Sequence, residues 1–444
     1  MKDLTKGYPA KVIMMFAIPL IFGQIMQQFY NMADSKIVST YVGTGALAAV
    51  GATAVVSNTL IGFMNGLTQG LSILVAHSFG AKDMKRMRQF VAGMMVITAG
   101  AAVLLTVIGV VFIGPVLELL NTPADILPDA LAYVRIILAG VFFSALYNMS
   151  ANILRAVGDS KTPLYCLLIA VVINIGLDLL FVCGFDWGIE GAAFATIISQ
   201  AMSGTMCAGI ILKKFREILP TKEDWKPETG QYGNLFSTGI SMALMGCIVN
   251  IGTITLQGAI NSLGTDYVAA HTAGRRVFDV LVVALFTVGM AMTTYTSQNM
   301  GAGNAKRVSR GVRHAIFIVW GMAVAVQVIW FAFGEQIIIW LTHTDNTVIM
   351  DAAQMYMDIS GWFLYVLGPL FILRCTLQGM GRKIIPLVSS FVEMLIKVLS
   401  ASFLVPAFGY VGVAFTEPIS WIIMIIPLIV AYVVKPPKKM LGGE

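Results

Sequence analysis

The sequence predicts an all-α polytopic membrane protein, with twelve transmembrane helices in two parallel, pseudo-symmetric six-helix lobes. Composition is the first reason. Of 444 residues, 57% are hydrophobic and only 12% charged, against roughly 25% charged in soluble domains. The second reason is an internal repeat. Gly43-Thr44, Ala48-Ala49, Gly80-Ala81 and Lys85-Arg86 recur 221 residues later as Gly264-Thr265, Ala269-Ala270, Gly301-Ala302 and Lys306-Arg307. Gly188, Gly191, Phe194 and Ser199 recur at the same offset as Gly409, Gly412, Phe415 and Ser420. Leu154, Gly158 and Pro163 match Leu377, Gly381 and Pro386 at an offset of 223, a small local insertion. The third reason is the placement of the basic residues, which alternates from loop to loop.

Stretches of about 20 apolar residues, enough to cross a bilayer as helix, begin near Lys11, Gly51, Val91, Ala130, Pro163 and Ile189. Six more begin near Leu235, His271, Arg313, Asp351, Ile384 and Val411. The first, from about Val12 to Met32, is too long for a signal-peptide core, and no small-residue cleavage site follows it. An even number of spans returns each repeat to its starting side, so the lobes are expected to be parallel and related by an axis along the membrane normal. The expected lobes are 1–212 and 235–434. A polar connection at 213–234, with Pro220, Pro227 and mixed charges read as solvated, divides them, and 435–444 forms a tail.

Of 29 Lys and Arg, 24 fall in the N-terminus, the loops after even-numbered spans or the C-terminal tail. Lys82, Lys85, Arg86 and Arg88 follow span two, and Lys306, Arg307, Arg310 and Arg313 follow span eight. The opposite loops carry Glu118, Asp125, Asp186, Glu190, Asp266, Glu335 and Asp345. The positive-inside rule then places both termini in the cytoplasm. The net charge of +6 is thus a topology signal, and no basic patch suited to nucleic acid remains.

Ionisable residues inside spans are expensive, about 2.5–3.5 kcal/mol at the helix centre even on the lenient insertion scale, and so mark function. Three places stand out. In span one, Gln24, Gln27, Gln28, Asn31 and Asp34 recur at three- and four-residue steps, which puts them on one helical face. Pro19 in the same span removes a backbone donor and predicts a kink. In span five, Asn174 and Asp178 are four apart and share a face. Asp178 follows Pro163 by roughly 22 Å of helix, a depth close enough to that of Asp34 for one cavity. In span eleven, Glu393 and Lys397 have the spacing of an intrahelical ion pair. The repeat sets Asp34 against Thr255, Asn174 against Lys397 and Asp178 against Ala401, so the acidic site is expected in the N-terminal lobe alone. His271 with Arg275-Arg276 reads as a cluster at the outer end of span eight.

No G-x-x-x-x-G-K-[ST] or H-E-x-x-H motif occurs, and the histidines (His77, His271, His314, His343) are dispersed. Nucleotide hydrolysis and a metal centre are therefore not expected. Cys166, Cys183, Cys207, Cys247 and Cys375 lie singly in or beside apolar segments and read as packing residues.

Taken in order, several of these segments resemble the multidrug and toxic compound extrusion (MATE) family, in particular its DinF-like and related bacterial branch. The resemblance covers essentially the whole length. It rests on Pro19 to Asp34 with Tyr30-Asn31-Met32-Ala33-Asp34, on Gly43 through Ala49, and on Leu154 through Pro163. Asn174 with Asp178 and Gln298-Asn299-Met300-Gly301-Ala302-Gly303 add to it. It implies a non-enzymatic antiporter that exports amphiphilic or cationic compounds against proton or sodium entry. By the same resemblance Asp34 and Asp178 are ion-coupling carboxylates with Asn174 as their partner, Pro19 is the helix-one proline, and Gln27, Tyr30 and Thr196 are neighbours. Gln24, Asn31, Asn148 and Asn152 complete the expected cavity lining. The NorM-like branch carries a further acid in span seven. Here Gly246-Cys247-Ile248-Val249-Asn250 has none, which weakens a C-lobe sodium site.

Protons are favoured as the coupling ion, because two close carboxylates in an apolar setting resist simultaneous ionisation; sodium stays open, since the same groups offer oxygen ligands. One charge crossing 100 mV gains about 2.3 kcal/mol. No cofactor is expected. The partners are a small amphiphilic or cationic molecule and membrane lipid, the chain acting as a monomer in the bacterial cytoplasmic membrane. Two rivals exist: a flippase for lipid-linked precursors, which needs a cationic cavity, and an intramembrane prenyl transferase, which needs an absent D-D-x-x-D cluster.

Overall fold

The computed structural model describes residues 3–119, 122–226, 230–342 and 346–442; Pro227, His343 and Asp345 lie outside them. The described residues form helices and short connections with no strand. In hydrocarbon each backbone N–H and C=O needs an internal partner, which a helix supplies within one segment. Among the described residues ten helices are long and apolar enough to cross a membrane, or up to twelve if each of two bent pairs counts as one span. The chain is an all-α polytopic membrane protein. It divides into two compact units, one built mainly from Phe22–Ala243 and the other from Leu4–Ile21 and Leu244–Glu444.

The first unit takes most of α1 (Pro9–Ile37), then α2 (Thr44–Gly80), α3 (Met84–Leu119), α4 (Leu127–Ala139), α5 (Val141–Ala156), α6 (Lys161–Asp178) and α7 (Gly188–Lys214). α3 shows how such a helix is oriented. Val103, Leu104, Val107 and Val111 form an exposed apolar stripe suited to lipid, while Met87, Phe90, Val91 and Met94 are buried. α4 and α5 meet at a 42° bend at Gly140. α2 packs on the start of α8 (Gln231–Asn261) through a G-x-x-x-G pair. A Cβ on Gly66 would lie 2.7 Å from the Met242 carbonyl oxygen, and one on Gly70 would lie 2.7 Å from that of Thr238. Small residues at this spacing let membrane helices approach backbone to backbone.

The second unit contains the rest of α8, then α9 (Thr265–Gly301), α10 (Ala305–Thr342), α11 (Thr347–Trp362) and α12 (Leu364–Gly379). It ends with α13 (Ile384–Leu399), α14 (Val405–Phe408), α15 (Tyr410–Val434) and α16 (Pro437–Met440). α11 and α12 form the second bent pair, at 57°. The repeat reaches the local backbone. Gly43 and Gly264, 221 residues apart, cap α2 and α9 at φ 114° and 106°, and Gly188 and Gly409 adopt φ 56° and 59°. π-helical turns follow at Leu179–Gly184 and Ser400–Leu404, again 221 residues apart at their starts.

α1 continues through Pro19 as one helix, and the division between the units falls just beyond it, after Ile21. Two expectations need correction. The connection after α7 is not simply solvated. Asp224 is buried and accepts from the Arg88 guanidinium at 2.9 Å and from the Thr221 N–H and hydroxyl at 2.8 and 2.7 Å. Burial opposes its ionisation, but these donors hold the carboxyl below the usual carboxylate range. Arg374, counted above with the basic loops, lies inside α12.

In the second unit the Gln298–Gly303 segment has a structural task. Leu4 is fully buried. Its N–H donates to Gln298 Oε1 at 3.1 Å, and Asn299 and Arg307 donate to carbonyls of Leu4, Lys6 and Gly7.

Candidate functional site

In the first unit α1 and α6 bring the predicted acidic residues into one region. Asn174 and Asp178 sit at the C-terminal end of α6 and are fully buried. Asp34, on the last turn of α1, is partly buried. Asp34, Asp178 and the Tyr30 hydroxyl lie within electrostatic range of one another. Tyr133 on α4 joins the group; it is missing from the expectations above because a tyrosine in an apolar run carries no distinctive signal. The Tyr30 hydroxyl donates to Thr196 Oγ1 at 3.3 Å, linking α1 to α7.

The carboxylates differ from ordinary buried polar groups. Asp34 Oδ1, both Asp178 carboxylate oxygens and both polar atoms of the Asn174 amide find no hydrogen-bond partner among the described residues. A buried acceptor left unpaired costs on the order of 1–3 kcal/mol, more if charged. Such a site is suited to a group that arrives and leaves. A proton neutralises a carboxyl and turns it into a donor, and a small cation would use the same oxygens. Among the described residues no group of three or more His, Cys, Asp or Glu could hold a metal ion.

The remaining predicted residues separate. Gln27 Nε2 donates to Asn31 Oδ1 at 3.5 Å. Gln27 and Tyr30 also line a cavity of about 20 Å³ with Leu167, Ala170, Val171, Ser199, Gln200 and Ser203. Gln24 is half-buried and Asn31 exposed. Asn148 and Asn152 are engaged within the helix packing. Asn148 donates to the Ser144 carbonyl at 2.9 Å. Asn152 donates to Thr68 at 3.1 Å and accepts from Arg155 at 3.3 Å, so it ties α5 to α2.

The second unit holds more acids inside spans than the expected Glu393, and Asp279, Glu417 and Glu393 each face a cation. Arg275 Nε meets Asp279 Oδ1 at 3.0 Å, and Arg275 Nη1 meets Glu417 Oε1 at 2.9 Å. Lys397 Nζ lies 3.1 Å from Glu417 and 3.0 Å from Glu393, and Arg374 lies 3.9 Å from Glu393. Lys397 also donates to Thr253 at 3.2 Å, and Arg374 donates to Ser390. Six charges thus alternate in sign across α9, α15, α13 and α12. Two of the three cations are guanidiniums, which do not release protons, and the third, Lys397, is held between two carboxylates. The ladder is an ionic clamp in which each charge faces one of opposite sign. Asp279, Glu417 and Asp358, the last held by Trp330 and Gln354, were legible as acids within spans but are missing from the expectations above. Arg275, expected in an end cluster, is part of this clamp, while His271 packs edge-on against Tyr356.

Comparison with known proteins identifies the family and the fold. The MatE family model matches residues 19–180 and again 241–403. The "Probable multidrug resistance protein YpnP" of Bacillus subtilis (strain 168) is 26% identical over 392 residues, 88% of this chain and 87% of its own. The "Multidrug export protein MepA" of Staphylococcus aureus (strain bovine RF122 / ET3-1) is 22% identical over 91% of this chain and 89% of its own. The solved structure described as "Crystal structure of MATE in the bent conformation" has the same fold. It superposes with a TM-score of 0.90 at 24% identity, covering 99% of this chain and 98% of that one. With one family model matched by each half in turn, the chain belongs to the MatE family, a family of membrane transporters for small molecules.

Proposed function

We propose that the protein is a secondary antiporter of the DinF-like or a related bacterial branch that exports amphiphilic, often cationic compounds by alternating access. In this reading the exchanged ion is a proton, taken up and released at Asp34 and Asp178 with Asn174 as their partner. The single observation that carries it is the group of buried, unpartnered carboxylate oxygens in the first unit. Asp178 is fully buried, and a buried carboxyl without donors is tolerated far better neutral than charged. Its protonation is therefore sensitive to whether water or a cation can reach it. Relatives described as multidrug export and multidrug resistance proteins support the substrate class. The reading includes twelve spans in two parallel lobes, both termini in the cytoplasm, and a monomer in the bacterial cytoplasmic membrane.

A lipid-linked precursor flippase is disfavoured, since Arg275, Lys397 and Arg374 are each engaged by a carboxylate and offer no free cationic nest for pyrophosphate. The test is efflux of a cationic dye from proteoliposomes under separately imposed proton and sodium gradients. The wild type should export under the proton gradient alone. Asp178→Asn, with the same shape and no titratable charge, should be inserted normally and lose uphill export. Full proton-driven export by this variant would refute the assignment.

A further inference from the structure

The proposed proton site says nothing of how a proton leaves a fully buried carboxyl. The small cavity of the first unit bears on this. Its lining comes from α1 (Gln27, Tyr30), α6 (Leu167, Ala170, Val171) and α7 (Ser199, Gln200, Ser203). On α1 it falls about one turn, and on α6 about two turns, to the same side of the carboxylates. Tyr30 precedes Asp34 by four residues on α1, and Ala170 precedes Asp178 by eight on α6. Ser199 and Gln200 follow Thr196, the partner of Tyr30, by three and four on α7. One turn is about 5.4 Å. That side is the Lys161 end of α6 and the Lys213-Lys214 end of α7, which the positive-inside pattern makes cytoplasmic.

The volume is about 20 Å³, enough for one water, which needs roughly 10–15 Å³ and two to four polar partners. The lining also selects the kind of occupant. The Tyr30 hydroxyl already donates to Thr196, Ser199 Oγ to the Ala195 carbonyl at 2.8 Å, and Ser203 Oγ to the Gln200 carbonyl at 2.9 Å. Their protons are committed, so what they offer a guest is lone pairs. Ser199 and Ser203 are both more than nine-tenths buried. The Gln200 amide adds donors and an acceptor, so the lining suits water, which both donates and accepts.

We infer that this cavity is the cytoplasmic stepping stone of the coupling proton: it holds a single water that takes the proton from the Asp34–Asp178 group and passes it toward the cytoplasm between α1, α6 and α7. The step is a plain transfer. The carboxyl O–H bond breaks as a water O–H bond forms, and the resulting hydronium gives up a proton on the cytoplasmic side, with no redox partner. The inference rests on the proposed proton coupling, and the experiment separates the two.

Proteoliposomes in sodium-free medium report proton-driven dye efflux, and equilibrium binding of the same dye is measured in parallel. Ser203→Val fills the cavity, whereas Gln200→Leu removes polarity with little change in shape. Each should slow driven efflux by about tenfold with dye affinity unchanged, and a steeper proton gradient should recover part of the rate, as a structural defect would not allow. If Ser203→Val is not recovered in the membrane, Gln200→Leu decides the matter alone. Wild-type efflux rates in Gln200→Leu overturn the inference. So does restoration of a variant by sodium, which would make the cavity a metal-ion site. If Asp178→Asn also exports at the full rate, the proton site itself has failed; if Asp178→Asn is inactive while Gln200→Leu runs normally, only the cavity has.

Discussion

Removing Lys397 gives the clearest energetic test of the contrast between the two units. Lys397 is 2% exposed and lies between Glu393 and Glu417 at 3.0 and 3.1 Å. Deleting one partner of a buried ion pair costs about 3–5 kcal/mol, because the remaining charge is left uncompensated. In Lys397→Met, Glu417 keeps Arg275 at 2.9 Å, while Glu393 is left with Arg374 at 3.9 Å. With one of the two carboxylates still well paired, the expected loss is at the lower end, about 3 kcal/mol. The double variant Lys397→Met/Glu393→Gln removes the stranded charge and should recover at least half of that. Asp178→Asn removes a charge that has no protein partner and should leave stability unchanged or raise it. Reversible unfolding in mixed micelles, with helicity followed against denaturing detergent, measures all four proteins. If Lys397→Met stays within about 0.5 kcal/mol of wild type, the ordinary range for a surface change, the ionic clamp is not closed in the folded protein. An Asp178→Asn loss as large as that of Lys397→Met would show that Asp178 is held by donors after all.

Gly66→Val would set its Cβ 2.7 Å from the Met242 carbonyl oxygen; it should cost about 1–3 kcal/mol by overpacking, read in the same unfolding assay, and Gly62→Val, with open space around it, is the control. Asp224 titrates lower in the folded protein than its unfolded reference of about 3.9, so its contribution is complete above that value and is lost as pH falls through the lower folded value. Rate-corrected hydrogen exchange at Thr221–Asp224 should therefore stay slow at neutral pH and rise in acid; Asp224→Asn should exchange fast at neutral pH as well, and wild-type protection in that variant would contradict the assignment.

Much of the architecture is legible in the sequence because it depends on quantities summed over many residues. The apolar spans, the 221-residue offset and the loop charges each average over tens of positions, and Gly43 and Gly264 mark the same positive-φ helix cap in each half. The Asn174–Asp178 spacing is legible for the same reason, since a four-residue step fixes a shared helical face. Partners are harder. Asp34 and Glu417 are both acids within apolar spans, and nothing local says that one lacks donors while the other is bound by Arg275 and Lys397 from two other helices. Asn152 reads as a cavity residue, and nothing local announces its bond to Thr68, 84 positions away. Pairing over such separations is set by helix packing, which a one-dimensional pattern does not contain.

The central claim is that substrate and proton compete through the carboxylates of the first unit. It is tested most directly by adding a permanently charged quaternary ammonium dye to the purified protein in weakly buffered solution near neutral pH, with a pH indicator present. Wild-type protein should release protons as the dye binds, in proportion to occupancy, and Asp178→Asn should bind the dye while releasing markedly fewer. Dye binding by the wild type with no proton release, or equal release from Asp178→Asn, would contradict the account.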